Sequence, residues 1–148
     1  LLRDIHPTAF SGQREPGVPL TLRFDYNLLT TLPQLPDFPE ALTYLNIAIN
    51  KISYLSREEV EQFVNLNELI IAHNPILLLP DLLSLLPSLT SLNIDGLNFS
   101  CCGVQWLAHL QLKLGNGLSY VGTICSEPQL LVNQPCMNAA RVNTRCPG

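Results

Sequence analysis

LTYLNIAINKI, residues 42–52, is followed by LNELIIAHNPI, residues 66–76, which carries the same residue types at the key positions. The two segments start 24 residues apart, and both follow the pattern L-x-x-L-x-I-x-x-N-x-I. A third copy, LTSLNI, spans residues 89–94, and a looser one, LRFDYNLL, spans residues 22–29. A fixed period of this length predicts a solenoid, in which each repeat buries its apolar residues against its neighbours.

The alternating core of each repeat predicts a short strand with its aliphatic residues inward. Asn27, Asn50 and Asn74 share one register, and a buried asparagine needs hydrogen-bond partners. We therefore expect a ladder in which each amide bonds to backbone groups of adjacent coils. Between the strands, Ser56-Arg-Glu-Glu59 predicts a capped helical turn. The proline-rich segment 32–39 predicts an extended return, and residues 82–86 a short helical turn.

Composition limits the function classes. The chain has 148 residues, of which 47% are hydrophobic and 14% charged, with a formal net charge of −4. Because Lys and Arg form no cluster, we expect no nucleic-acid partner and no attraction to an anionic membrane. The longest apolar stretch, residues 76–89, is interrupted by prolines and predicts no membrane insertion. No hydrolase, zinc-protease or phosphate-loop motif is present, so we expect no enzyme activity, cofactor or metal.

All five cysteines lie near the C-terminal end, where the repeat pattern stops at Leu97. This cluster predicts a disulfide-stapled cap and an oxidising compartment, because no pair has the spacing of a zinc site. Apolar positions in residues 105–114 predict one amphipathic helix that ends at Gly115. We expect a partial repeat and loop at 1–17, about four repeats at 18–99 and the cap at 100–148. The partial repeat predicts an array that begins before Leu1.

The repeats and the cap together resemble the extracellular leucine-rich repeat family and its cysteine-rich C-terminal cap. Cys102 is followed four residues later by Trp106-Leu107, and Cys125-x-x-Pro128 also fits that cap. The resemblance implies an α/β solenoid with short parallel strands on the concave face, a convex side of irregular, 3-10 or short helical segments, and a cap with one α-helix. It also implies the pairs Cys101–Cys125 and Cys102–Cys146. Cys136 is then unpaired or intermolecular, and its pairing with Cys102 is the alternative.

The resemblance implies a binding module, the C-terminal part of a secreted or cell-surface receptor ectodomain of the innate-immune or signalling type. Its partner would be a protein ligand, a co-receptor or a second copy. An adhesion or matrix protein, or a structural spacer, is the alternative. The outward strand positions form columns, from which we predict a binding face: Tyr26, Tyr44, Asn46, Ile49, Glu68, Ile70 and His73. Asn98-Phe-Ser100 is a sequon that predicts N-glycosylation in a secreted chain.

Overall fold

The computed structural model describes residues 1–12 and 14–141. These residues form seven strands, four short α-helices and three 3-10 turns. The strands are β1 (Leu20–Arg23), β2 (Leu42–Asn46), β3 (Glu68–Ile70), β4 (Ser91–Asn93), β5 (Asn98–Ser100), β6 (Leu118–Ser119) and β7 (Ile124–Glu127). The α-helices are α1 (Arg57–Glu61), α2 (Leu82–Leu85), α3 (Gln105–Leu114) and α4 (Cys136–Ala140). The 3-10 turns are Pro39–Ala41, Gly115–Gly117 and Gln129–Leu131.

The main sheet has five parallel strands in the order β1-β2-β3-β4-β6. Its register pairs Leu22 with Leu45, Leu45 with Leu69, and Leu69 with Leu92. These leucines are all buried, because strand alternation turns them inward together. The mixed α/β class with short parallel strands is thus confirmed. Since each strand pairs with its predecessor in the repeat, the apolar positions of the sequence stack into one core.

The asparagine ladder predicted from the sequence is present. Asn74 Nδ2 donates to Ile47 O of the preceding coil at 2.9 Å and to Ile71 O of its own coil at 3.1 Å. Its Oδ1 accepts from Ile52 N at 3.1 Å. Asn50 repeats the arrangement one coil earlier, and it is 4% exposed like Asn74. Each side chain therefore satisfies buried backbone groups of two coils, which is why an amide is tolerated in this core.

Asn27 lies at the same register position in the first full repeat. Its Nδ2 donates to Phe24 O at 3.0 Å, and its Oδ1 accepts from Leu2 N at 2.9 Å. Leu2 thus stands where Leu29 and Ile52 stand in the next two steps of the ladder. The segment 1–12 therefore contacts the first full repeat with the hydrogen bonds that join one repeat to the next.

The return segments differ from coil to coil, as the sequence predicts. Helix α1 begins after Ser56, whose Oγ accepts from Glu59 N at 3.0 Å. Helix α2 begins after Asp81, whose Oδ1 accepts from Ser84 N at 3.2 Å. The proline-rich return forms no α-helix and ends in the 3-10 turn Pro39–Ala41. The side-chain oxygens of Ser56 and Asp81 accept hydrogen bonds from backbone N–H groups at the starts of the two helices. In the proline-rich return, the proline rings fix the backbone instead.

The C-terminal segment adds a fifth strand that we did not predict. Strand β6 pairs with β4, with Leu118 opposite Leu92. Five residues after Leu118, Thr123 occupies the register of the ladder asparagines. Its Oγ1 donates to Ile94 O at 2.7 Å, and the residue is 2% exposed. A hydroxyl thus replaces the amide donor at the next step of the ladder, after Leu97 has interrupted it.

Helix α3 spans Gln105–Leu114 and has Gly115 as its C-cap, as predicted. Cys101, which follows β5, forms a disulfide with Cys125 of β7, which confirms the first expected pair. Cys102 is also disulfide-bonded. Its expected partner, Cys146, lies outside the described residues. Helix α4 was not predicted, and it begins at Cys136.

Cys136 is the free cysteine of the described residues and is fully buried. Of the alternatives that the sequence left open, the pair Cys136–Cys102 is not formed, because Cys136 is a free thiol in this chain. Burial raises the pKa of the Cys136 thiol from 9.0 to about 11. At neutral pH the thiol is therefore protonated and packed as a small apolar side chain.

Candidate functional site

The outward side chains of the main sheet form columns across neighbouring coils, and we call this surface the sheet face. Strand pairing aligns Thr21, Tyr44, Glu68 and Ser91 in the first column. The second column consists of Arg23, Asn46, Ile70, Asn93 and Ser119. The structure thus brings together the predicted residues Tyr44, Asn46, Glu68 and Ile70 on one surface. Adjacent strands lie about 4.8 Å apart, so neighbouring members of a column are within contact distance.

Asn46 lies on this face but is only 7% exposed. Its Oδ1 accepts a hydrogen bond from Ala48 N at 3.1 Å. Asn93 makes the equivalent bond to Asp95 N at 2.9 Å two coils later. These two asparagines cap the turn that follows each strand, so their amide oxygens are already engaged. Asn46 therefore offers little surface to a partner.

The apolar centre of the sheet face is smaller than the sequence suggests. Strand alternation predicts that Ala48 and Ala72 face outward, yet they are only 9% and 4% exposed. Ile70 and Tyr44 are half-buried, and each presents part of its side chain to solvent. The accessible apolar surface therefore depends on the large side chains and not on the alanines.

A row of left-handed residues borders the sheet face where the strands end. Tyr26, Ile49 and His73 have φ angles of 59°, 54° and 55°, and Gly96 follows in the same register with 68°. Each N–H of the row donates to a carbonyl of the next coil, as Ile49 N does to Ala72 O at 2.9 Å. The left-handed turn keeps this ladder bond while the chain leaves the sheet. For a residue with a Cβ, this conformation costs roughly 1–2 kcal/mol.

The left-handed row presents large side chains to solvent. Tyr26 is 65% exposed and Ile49 36%, and His73 is also exposed. Gly96 N donates to Val121 O at 2.9 Å, so Gly122, with a φ angle of 70°, is the next member of the row, and the adjacent Val121 is 74% exposed. Glycine or asparagine would adopt this backbone at lower cost. Backbone strain combined with exposed side chains is typical of recognition surfaces.

His73 and Gly96 fit together within this row. A Cβ built on Gly96 would lie 2.2 Å from the Nδ1 atom of His73. The imidazole therefore occupies the space that any side chain at position 96 would need. Glycine at this position therefore leaves room for the ring of His73.

Carboxylates surround the apolar part of the sheet face. Asp95 Oδ1 accepts from Ser119 Oγ at 2.6 Å and from Val121 N at 2.8 Å, which fixes the fifth strand. Glu68 accepts from Ser91 Oγ at 3.2 Å. Among the described residues, the salt bridge found is Arg57–Glu61 on α1, so the charges of the sheet face are not paired with one another. Unpaired charges around an apolar centre resemble the polar rim of a protein interface.

A groove lies near the residues that precede the first strands. It is an open groove of about 1080 Å³, lined mostly by loop residues between Gly12 and Pro19 and by Asp37, Phe38 and Glu40. Arg14 lies over the Phe38 ring at 5.7 Å and donates to the carbonyls of Val18 and Pro19. The guanidinium thus holds the loop together. In residues 1–12 and 14–141, no group of His, Cys, Asp or Glu has the arrangement of a metal site.

No protein-family model matches the chain, and no curated protein matches it either. Within the described part, no helix is long and apolar enough to cross a membrane. The site is therefore defined by its geometry alone. Sequence patterns located the columns through their period, but they missed Ser119 and Val121 because β6 carries only two strand residues and no repeat motif.

Proposed function

We propose that this chain is the C-terminal part of an extracellular leucine-rich repeat ectodomain that binds a protein through its sheet face. The repeat motif, the parallel register and the asparagine ladder support this assignment. So does the disulfide between Cys101 and Cys125, since such bonds persist in oxidising compartments. The proposed activity is recognition without chemistry, by a receptor that takes a protein ligand or co-receptor.

The left-handed row carries the proposal. Three bulky residues occupy a conformation that favours glycine, and Tyr26 and His73 are exposed there. Such a row does not contribute to the core, which the leucines and isoleucines of the repeats already fill. Together with Ile70 and Tyr44 it forms an aromatic and aliphatic surface bordered by carboxylates. Large, rigid side chains of this kind supply most of the binding energy in protein interfaces.

The test uses a panel of purified extracellular proteins and the secreted, oxidised chain, with binding measured by surface plasmon resonance. Ile70→Glu places a charge in the centre of the sheet face. In its column it lies between the uncharged Asn46 and Asn93, and Glu68 lies two residues earlier on the same face of β3. We expect its affinity for a bound protein to fall at least about tenfold, with an almost unchanged melting temperature.

Leu112→Glu is the matched control, because Leu112 is 85% exposed on α3 and lies outside the sheet face. It should leave the affinity unchanged. Light scattering after size-exclusion chromatography tests whether the partner is a second copy of the chain. A dimer that forms through the sheet face should dissociate with Ile70→Glu and persist with Leu112→Glu. Binding that tolerates Ile70→Glu and is lost with Leu112→Glu would exclude the sheet face.

A further inference from the structure

An apolar flank lies beside the sheet, on the coil segments that follow the asparagine ladder. Tyr54, Leu77 and Leu78 are 60%, 61% and 56% exposed. Leu77 N donates to Ser53 O at 3.4 Å, so these residues belong to adjacent coils. Three exposed apolar side chains thus lie on two neighbouring segments, and we call them the apolar flank. Exposed apolar patches of a few hundred Å² often mark a contact surface, which makes the apolar flank a candidate.

Asn98 lies next to the apolar flank. Ser100 N donates to Leu77 O at 2.8 Å, which places β5 directly beside the coil of Leu77. Asn98 is exposed and Phe99 is fully buried, just as Leu77 is exposed and Ile76 is fully buried. Because successive side chains of extended segments point to opposite faces, Asn98 and Leu77 point to the same side. On its other side β5 pairs with β7, with Asn98 opposite Ile124.

We propose that Asn98 carries an N-linked glycan whose first sugars lie over the apolar flank. This inference depends on the extracellular location in the proposed function. The chain supplies the sequon Asn98-Phe-Ser100, and the fold places it beside the coil that carries Leu77 and Leu78. The carbon–hydrogen faces of sugar rings pack on tyrosine and leucine side chains. With the apolar flank covered by the glycan, the sheet face stays accessible to a protein partner.

The modification is a group transfer without oxidation or reduction. A lipid-linked oligosaccharyl pyrophosphate is the donor, and its anomeric carbon forms a bond to Asn98 Nδ2. The bond from that carbon to the pyrophosphate oxygen breaks, and the amide loses one proton. Ser100 is 6% exposed in the folded chain, and its Oγ accepts from Cys102 N at 3.3 Å. The transfer must therefore precede folding of β5, as it does on an extended nascent chain.

The first measurement is glycan occupancy at Asn98 in the chain secreted from mammalian cells. Peptide mass spectrometry after removal of the glycan with a glycoamidase should find aspartate at position 98. The second measurement is hydroxyl-radical labelling of the folded protein before and after that removal. Labelling of Leu77 and Leu78 should rise several-fold once the glycan is gone. Leu112 is the internal control, since it is 85% exposed and lies on α3.

Asn98→Gln, produced in the same cells, repeats the comparison without enzyme treatment and should label Leu77 as strongly as the deglycosylated chain does. An unmodified Asn98 would overturn the proposal, and so would equal labelling of Leu77 and Leu78 with and without the glycan. Neither result depends on a protein partner. A negative result for the glycan therefore does not count against protein binding by the sheet face, and the two proposals fail independently.

Discussion

Replacing Asn74 with alanine should lower the free energy of unfolding by about 3–4 kcal/mol. The substitution leaves Ile52 N–H buried without its acceptor, and an orphaned buried donor costs about 1–3 kcal/mol. It also removes the bonds to Ile71 O at 3.1 Å and Ile47 O at 2.9 Å. Each of these is worth about 1 kcal/mol, and Ile47 O keeps a second donor in Asn50. The removed volume is small, so hydrogen bonds dominate the loss.

The assay is urea denaturation followed by far-UV circular dichroism and by fluorescence of Trp106, the single tryptophan. Asn65→Ala is the matched control. Its Nδ2 also bonds to a neighbouring coil, at Glu40 O and 2.9 Å, but the residue is exposed. The control should cost less than about 0.5 kcal/mol, because water replaces the lost partner. Equal losses for Asn74→Ala and Asn65→Ala would refute the reasoning that burial gives the ladder its strength.

Three further predictions concern the cap and the helices. Gly117→Ala should lower the free energy of unfolding by about 3 kcal/mol, because its Cβ would lie 2.2 Å from the backbone oxygen of Thr90. A Cβ at Gly122 meets open space, so Gly122→Ala should cost only about 1 kcal/mol for its positive φ. Urea denaturation of both variants distinguishes a steric clash from backbone strain. The buried thiol of Cys136 ionises near pH 11 in the folded chain and near 9.0 in the unfolded chain, so stability should fall as pH rises through this window. The pH-dependent loss of unfolding free energy, measured against the Cys136→Ala variant by denaturation at each pH, should be about 2–3 kcal/mol above pH 11 and absent below pH 9.0. Ser56→Ala removes the N-cap acceptor of α1 and should cost about 1 kcal/mol in thermal unfolding; a loss near zero would show that the cap does not stabilise the fold.

The sequence predicted the parts of the fold that repeat. The period aligned Leu45 with Leu69 and Asn50 with Asn74, because identical residues in identical coils share one environment. Helix α3 followed from its apolar spacing and from Gly115, which ends it. These features depend on local residue patterns and on contacts between adjacent repeats, and both can be read from the sequence.

The remaining features depend on contacts between segments without a common motif. Strand β6 forms because the 3-10 turn Gly115–Gly117 returns the chain beside β4, and two residues are too few for a strand pattern. Thr123 completes the ladder with a hydroxyl, which no asparagine-based motif reveals. At the candidate site, alternation placed Asn46 outward correctly but could not show that its amide bonds to Ala48 N. Left-handed backbone at Ile49 was equally hidden, since β-branched residues rarely adopt it.

Hydroxyl-radical footprinting of the chain bound to its extracellular protein partner tests the central claim most directly. The comparison is between the free chain and the complex, with every labelled side chain read by mass spectrometry. We predict that Tyr26, Tyr44 and Ile70 lose labelling together in the complex, while Leu112 on α3 keeps it. Unchanged labelling of the first three residues, with protection at Leu112 or in the cap, would contradict the assignment of the sheet face as the binding surface.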